Sequence, residues 1–335
     1  MKVLIIGGTG VISSCIVEQL LAKGHNISIF HRGTTPLNYG GKVEEFIGDK
    51  QNSEEFERMM KNYQFDVVID MICFTVEDAE LTIGVFKNKV EQIIITSSVA
   101  AYRRPLNSLP IQEGQEALTY NKDFPYAFHK AEVERYANKM IEEEDIPITI
   151  IRPSLTYGER GKNLGILRQN YNIIDRIKKG KPLVMFGDGT GPMSFTFAPD
   201  LAKGYEAVLG NKNTYGKSYH ITSEERRMWD DLYLEFGKLL GVEAKIVHIP
   251  SEILFSYDPN LFGHIYYEKM YAGIYDNGKI KRDCPQLKMD MTLSDGLTMM
   301  LNWYEKSNAV VDEEKDQLED RLVYLYEKLR NGFKE

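Results

Sequence analysis

The 335-residue chain is poor in cysteine and tryptophan, and it has no long apolar run. Its three cysteines, Cys15, Cys73 and Cys284, stand far apart. Such a set makes neither a disulfide framework nor a zinc knuckle, and it fits a reducing, cytoplasmic compartment. No metal site is expected. After Met1-Lys2 only Val3 to Ile6 are apolar before Gly7-Gly8. That is too short for the core of a signal peptide. No stretch approaches the roughly 18 apolar residues that span a membrane, so no membrane partner is expected. Excess positive charge is missing too. The net charge of −8 opposes unaided binding to nucleic acid. What remains is an ordinary globular composition, 43% hydrophobic. A chain of this length buries a large core without disulfide or metal staples.

Over residues 1–150, short apolar runs alternate with helical patterns. Strands are expected at 3–6, 27–30, 43–47, 65–69, 92–96 and 146–151. Helices are expected at 11–23, 53–61, 76–87 and 126–144. Continuous apolar strands separated by helices mean a parallel sheet covered on both faces. The fold class is therefore α/β: a doubly wound parallel sheet with a smaller C-terminal α/β substrate-binding portion. Past Tyr157-Gly158 the pattern loosens. A helix is expected at 164–179, and 200–209 with 218–222 can return to the sheet. The expected division is 1–160 plus about 194–224 as a dinucleotide-binding domain. Residues 161–193 and 225–305 would form the substrate portion, and 306–335 a C-terminal helix. That tail carries Leu318, Leu322, Leu325 and Leu329 at helical spacing. It is expected to dock on its own domain; a homodimer contact is the other use for it. Tyr257, Phe262, Tyr266, Tyr267, Tyr271 and Tyr275 form an aromatic cluster for core packing or a substrate pocket.

Gly7-Gly8-Thr9-Gly10-Val11-Ile12-Ser13 lies between the first strand and the first helix. Such a turn lets backbone N–H groups meet a pyrophosphate, and the helix adds its positive end. The context is that of a Rossmann dinucleotide site, with Gly7, Thr9, Gly10, Val11 and Ile12 as contacts. Ser13 replaces the third glycine, which should loosen helix–strand packing slightly. The second strand ends at Phe30-His31-Arg32, where an NAD site commonly has Asp or Glu. A guanidinium at Arg32 suits a 2′-phosphate, so NADP is favoured over NAD. An arginine stacked on adenine would serve either. Asp49 is placed to accept from an adenine amino group, or it is a plain turn aspartate.

Tyr126 and Lys130 share one helix face at i and i+4. A neighbouring ammonium favours the phenolate and equips Tyr126 as general base or acid. Ser97 and Ser98 follow the fifth strand, at the edge where open α/β sheets bind ligands. A serine hydroxyl there can hold a reacting oxygen.

These elements, in this order, resemble the extended and atypical short-chain dehydrogenases/reductases, the NAD(P)-dependent epimerase/dehydratase group. Besides the glycine turn, the likeness rests on Thr96-Ser97-Ser98 and Tyr126-x-x-x-Lys130. It also rests on Arg152-Pro153-x-x-x-Tyr157-Gly158, and on Phe186-Gly-Asp-Gly189 with Asp200-Leu201-Ala202. The resemblance implies Ser98, Tyr126 and Lys130 as a catalytic triad, with Ser98 chosen by matching the serine run to Tyr102. It implies that Met71, Thr96 and Pro153 line the cofactor with the glycine turn, Tyr126 and Lys130. Two departures stand out. Met193 occupies the slot where the family's sugar-nucleotide epimerases grip a diphosphate with arginine. Residues 71–91 lack the Asn-Val-x-Gly-Thr helix whose asparagine extends the proton relay.

The chain looks most like an atypical branch that includes plant chloroplast stem-loop-binding proteins. Two functions follow. One is hydride transfer on a sugar-like or other small hydroxylated or carbonyl substrate. The other is a non-catalytic dinucleotide-binding module with an RNA-binding or regulatory role. Gly158-Glu-Arg160-Gly-Lys162, with Arg168 beyond, would serve a small anionic substrate or is simply solvated charge.

Overall fold

Residues 1–333 are described by a computed structural model, and their contacts divide into two units. The first comprises Met1–Thr156, Ala198–Glu224 and Tyr275–Asp290. The second comprises Tyr157–Phe197, Glu225–Ile274 and the chain from Met291 onward.

In the first unit a seven-stranded sheet is built from β1 (Lys2–Ile6), β2 (Asn26–His31), β3 (Val43–Ile47), β4 (Val67–Asp70), β5 (Gln92–Thr96), β6 (Ile148–Pro153) and the strand Lys217–Ile221. The spatial order is Lys217–Ile221, β6, β5, β4, β1, β2, β3, and every neighbouring pair is parallel. Helices that cover it include α1 (Val11–Ala22), α2 (Ser53–Met60), α3 (Val76–Phe86), α4 (Pro125–Glu144) and the later helix Ala198–Val208.

Alternation along each strand splits the core in two. Val3, Ile5, Ile27, Ile29, Val67 and Ile69 pack with α1 and the helix Ala198–Val208. Leu4, Ile6, Phe30, Val68, Ile93 and Ile95 pack with α2, α3 and α4. Each such side chain contributes about 1.5–3 kcal/mol on burial. The doubly wound sheet is thus as the apolar runs imply. Two strands start later than expected, at Val67 and Ile148. Phe65 lies before its strand, in a ring cluster with Phe46 and Tyr63. The order reverses between β1 and β4, so their carboxyl ends open the crevice where such sheets bind ligands.

In the second unit Leu183–Phe186 pairs in parallel with Ile246–Ile249. Pro192–Met193 pairs antiparallel with Arg227–Met228. The helix expected at 164–179 is shorter, Asn170–Lys178. Gly165 and Arg168 take φ +73° and +53°, left-handed values that a helix cannot contain.

The tail helix, Glu313–Gly332, docks differently from its leucine spacing. Leu322 is buried, but Leu325 and Leu329 are 39% and 44% exposed. Charge holds it instead. Fully buried Arg176 donates to Asp316 (2.6 Å), Asp320 (2.8 Å) and the Pro182 carbonyl. Glu319 accepts from the Val184 N–H and the Gln169 amide. Burial pushes the Glu319 carboxyl up to about 7, against the pull of Arg176. A carboxyl raised on folding stabilises fully below its unfolded value of 4.5. That contribution is lost as pH rises through about 7. Stability should therefore fall between pH 5 and 7, by roughly 1 kcal/mol per pH unit at most. Glu319→Gln should flatten this slope in urea melts across that range. An unchanged slope would mean that Glu319 is not its source.

Candidate active site

Six of the seven parallel strands carry a candidate site residue at their carboxyl ends. Gly7 follows β1, Arg32 follows β2, Asp49 follows β3 and Met71 follows β4. Thr96 closes β5, with Ser97 and Ser98 beyond, and Pro153 closes β6.

The turn after β1 is shaped for a close approach. Gly7 has φ +88°, and a Cβ there would lie 2.5 Å from Ile72 Cγ2. Exposed Gly10 caps α1 in an extended conformation, with no side chain to shield the helix start. Within α1 the first-turn N–H groups of Val11 and Ile12 have no helical acceptor. No acidic residue sits in that turn to repel an anion. The turn is thus compatible with a pyrophosphate, which the backbone of Gly7 to Ile12 would hold. Ser13 does more than pack. Its Oγ accepts the Gly10 N–H at 2.8 Å, tying the turn to the helix. That use of the hydroxyl was not evident from the sequence.

His31 is buried, and its Nε2 bonds Glu45 Oε1 at 2.7 Å. Arg32 beside it is exposed. Asp49 is exposed in a turn, where its Oδ1 accepts the Gln51 N–H.

Thr96 binds its surroundings twice through Oγ1, to Tyr205 Oη (2.8 Å) and to Met71 Sδ (3.2 Å). The two serines after β5 part ways. Ser97 Oγ donates inward to Glu134 Oε1. Ser98 Oγ accepts the Ala100 N–H at 3.1 Å, which leaves its own O–H as a donor.

Pro125 begins α4, and Tyr126 follows in the first turn, 44% exposed. One turn on, Lys130 is 2% exposed. Its Nζ donates to the carbonyls of Thr96 (2.7 Å) and Cys73 (2.8 Å) and lies 4.8 Å from the Phe74 ring. Burial lowers the Lys130 ammonium from its ordinary value, against the pull of Asp70 and Glu134. A second buried lysine shows the contrast. Lys50, 3% exposed, is ion-paired with Asp70 at 2.7 Å. Among the described residues Lys130 has carbonyls as partners and no carboxylate within ion-pair distance.

Behind Ser97 runs a network that the sequence reading missed. Glu134 is fully buried and accepts from Arg152 at Nε and Nη2. Arg152 Nη1 donates to Tyr102 Oη (2.7 Å), which bonds His220 Nε2 (2.6 Å). A signal was available, since Tyr126, Lys130 and Glu134 are spaced by four.

In the second unit, Met193 is buried opposite Arg227. Arg227 is already neutralised by Glu225. Among the described residues no helix is long and apolar enough to cross a membrane. No group of three or more His, Cys, Asp or Glu could hold a metal ion there.

Residues 3–222 match the NAD dependent epimerase/dehydratase family. Over 279 residues the chain is 25% identical to the chloroplast stem-loop binding protein of 41 kDa b from Arabidopsis thaliana, covering 78% of this chain and 67% of that protein. It is 23% identical to a 2′-dehydrokanamycin reductase from Streptomyces kanamyceticus, covering 75% and 70%. In structure it resembles UDP-glucuronic acid 4-epimerase from Bacillus cereus, solved with NAD. The TM-score is 0.73 at 20% identity, covering 91% of this chain and 97% of that one.

Proposed function

The chain belongs to the NAD dependent epimerase/dehydratase family, and from that premise we propose that it catalyses hydride transfer on a carbinol or carbonyl carbon of a small, sugar-like substrate. The nicotinamide dinucleotide, when bound, supplies the hydride donor or acceptor. Everything else is the work of this chain's side chains. Ser98 donates its O–H to the reacting oxygen. Tyr126 takes or gives the proton on that oxygen. A free phenol near pKa 10 is a poor base at neutral pH, and the Lys130 ammonium one turn away favours its anion. Met193 cannot neutralise a diphosphate, and Arg227 is engaged by Glu225. A substrate without a diphosphate therefore suits this unit better.

The observation that carries the reading is Lys130, a buried ammonium with no carboxylate in ion-pair distance among the described residues. Lysines are rarely so buried unless paired, and Lys50 obeys that rule in the same unit. Lys130→Met keeps the volume and removes the charge. It should lower turnover at least ~100-fold in assays of reduced nicotinamide, while stability falls by only about 1–3 kcal/mol. Unchanged turnover with a large loss of stability would assign Lys130 a structural role alone. A non-catalytic module bound to RNA has no use for this ammonium. Titration with RNA at two salt concentrations separates the two functions, because phosphate-driven binding falls steeply with salt.

Arg32 supports NADP over NAD. Charged hydrogen bonds to a 2′-phosphate contribute about 1.5–3 kcal/mol. Arg32→Ala should thus weaken NADP roughly ten- to hundredfold in calorimetric titration and leave NAD within about threefold. Equal losses for both would mean that Arg32 stacks on adenine instead.

A further inference from the structure

A lysine buried as deeply as Lys130 ordinarily has a carboxylate beside it. Carboxylates are near enough to act on it through space, namely Asp70, Asp78 and Glu134. Each is engaged elsewhere. Asp70 accepts from Lys50 (2.7 Å), Thr82 (2.6 Å) and the Ile72 N–H (3.0 Å). Asp78 accepts from Gln51 and from the N–H groups of Phe74 and Thr75. Glu134 holds Arg152 and Ser97. The Cys73 thiol is pushed up by burial and stays neutral. The ammonium has three N–H donors, and two go to the Thr96 and Cys73 carbonyls. Its Nζ also lies over the face of the Phe74 ring, 4.8 Å from the centroid.

Burial explains little of Phe74, which is 48% exposed. Its backbone is nonetheless fixed. Asp78 Oδ2 accepts the Phe74 N–H at 2.9 Å, and Thr75 beside it caps α3 in a capping box. The start of α3 thus presents the ring to Lys130. A ring face carries the negative part of a quadrupole, and a cation within about 6 Å of the centroid is stabilised by it. The effect grows where water is excluded, and Lys130 is 2% exposed. A carboxylate in the same place would protect the charge but cancel its field at Tyr126. The ring protects the charge and carries no net charge of its own.

We propose that Phe74 is a positioning residue for Lys130: its ring face takes the place of an ion-pairing carboxylate, keeps the buried amine protonated, and through that charge sets the upper pH limit at which Tyr126 works. The link to Tyr126 rests on the hydride-transfer reading, whereas the effect on the amine does not. Without the ring the amine gives up its proton at lower pH, and the phenolate of Tyr126 loses its support there.

The test compares Phe74→Leu with Phe74→Trp in the full chain. Leucine keeps an apolar cover and removes the quadrupole, while tryptophan strengthens it. Because the side chain is half exposed, both variants should fold with a Tm near wild type. The Lys130 amine is titrated by NMR in protein carrying isotope-labelled lysine, without dinucleotide, and Lys130→Met identifies its signal. In Phe74→Leu it should titrate about one pH unit below the wild type, and in Phe74→Trp at or above it. The alkaline limb of kcat should move with the amine in each variant. An amine that titrates in Phe74→Leu as in the wild type would overturn the proposal, since apolar cover would then be all the ring supplies. So would an equal fall in Phe74→Trp. A shifted amine with an unmoved alkaline limb would uphold the hold of Phe74 on Lys130 and count against Lys130 and Tyr126 as a working pair.

Discussion

Tyr126→Phe should lower turnover by about a hundred- to ten-thousandfold, the span that a positioned acid or base contributes. The change removes one oxygen from a side chain that is 44% exposed at the start of α4. Packing is hardly touched, so Tm and cofactor affinity should stay near wild type. Lys130 keeps its hold on the Thr96 and Cys73 carbonyls in the variant. The loss should therefore fall on kcat, with KM nearly constant, as for an interaction made mainly in the transition state. Rates near wild type would remove Tyr126 from the chemistry and leave the site to bind without reacting.

Glu134→Ala has the largest expected effect on stability. Glu134 is fully buried, holds Arg152 through both carboxylate oxygens and accepts from Ser97. Its removal strands a guanidinium that is 6% exposed. Breaking a buried pair in this way costs about 3–5 kcal/mol. The same charge would then face Tyr102 and His220, with the carboxylate of Glu113 one residue further on, beside His220. Burial holds the His220 imidazole down at about 3, so it stays neutral and adds no second cation beside Arg152. The paired variant Glu134→Leu/Arg152→Met removes both charges together. It should unfold at a higher denaturant concentration than Glu134→Ala, because no lone charge remains. Equal midpoints would mean that packing and not charge is at stake.

The sheet was legible because strands buried on both faces read as unbroken apolar runs. Their ends were not. Phe65 and Ile146 are apolar and buried yet lie outside the strands, and hydropathy cannot tell ring packing from a ladder position. The helix start at Asn170 was hidden for a related reason, since the left-handed Arg168 has no compositional mark. The tail shows the deeper difficulty. Leucine spacing points to an apolar dock, but the docking is carried by Arg176, Asp316 and Glu319. Such matched charges lie about 140 positions apart in sequence, and no local pattern links them. The candidate site was more readable, because β5, α4 and the glycine turn each carry local chemistry. Glu134 was overlooked although it extends the Tyr126–Lys130 spacing. The opposite fates of Ser97 and Ser98 needed the fold itself.

Titration of the full chain with NADP and NAD tests the central claim most directly. The claim is that the turn from Gly7 to Ile12 holds a nicotinamide dinucleotide for the Ser98, Tyr126 and Lys130 site. One dinucleotide should bind per chain, NADP more tightly than NAD, and Tyr126→Phe should bind it equally well. Gly7→Val should abolish binding, because its side chain meets Ile72 and its backbone must leave φ +88°. A wild type that takes up neither dinucleotide at saturating concentration would contradict the account, as would a folded Gly7→Val that binds as well as the wild type.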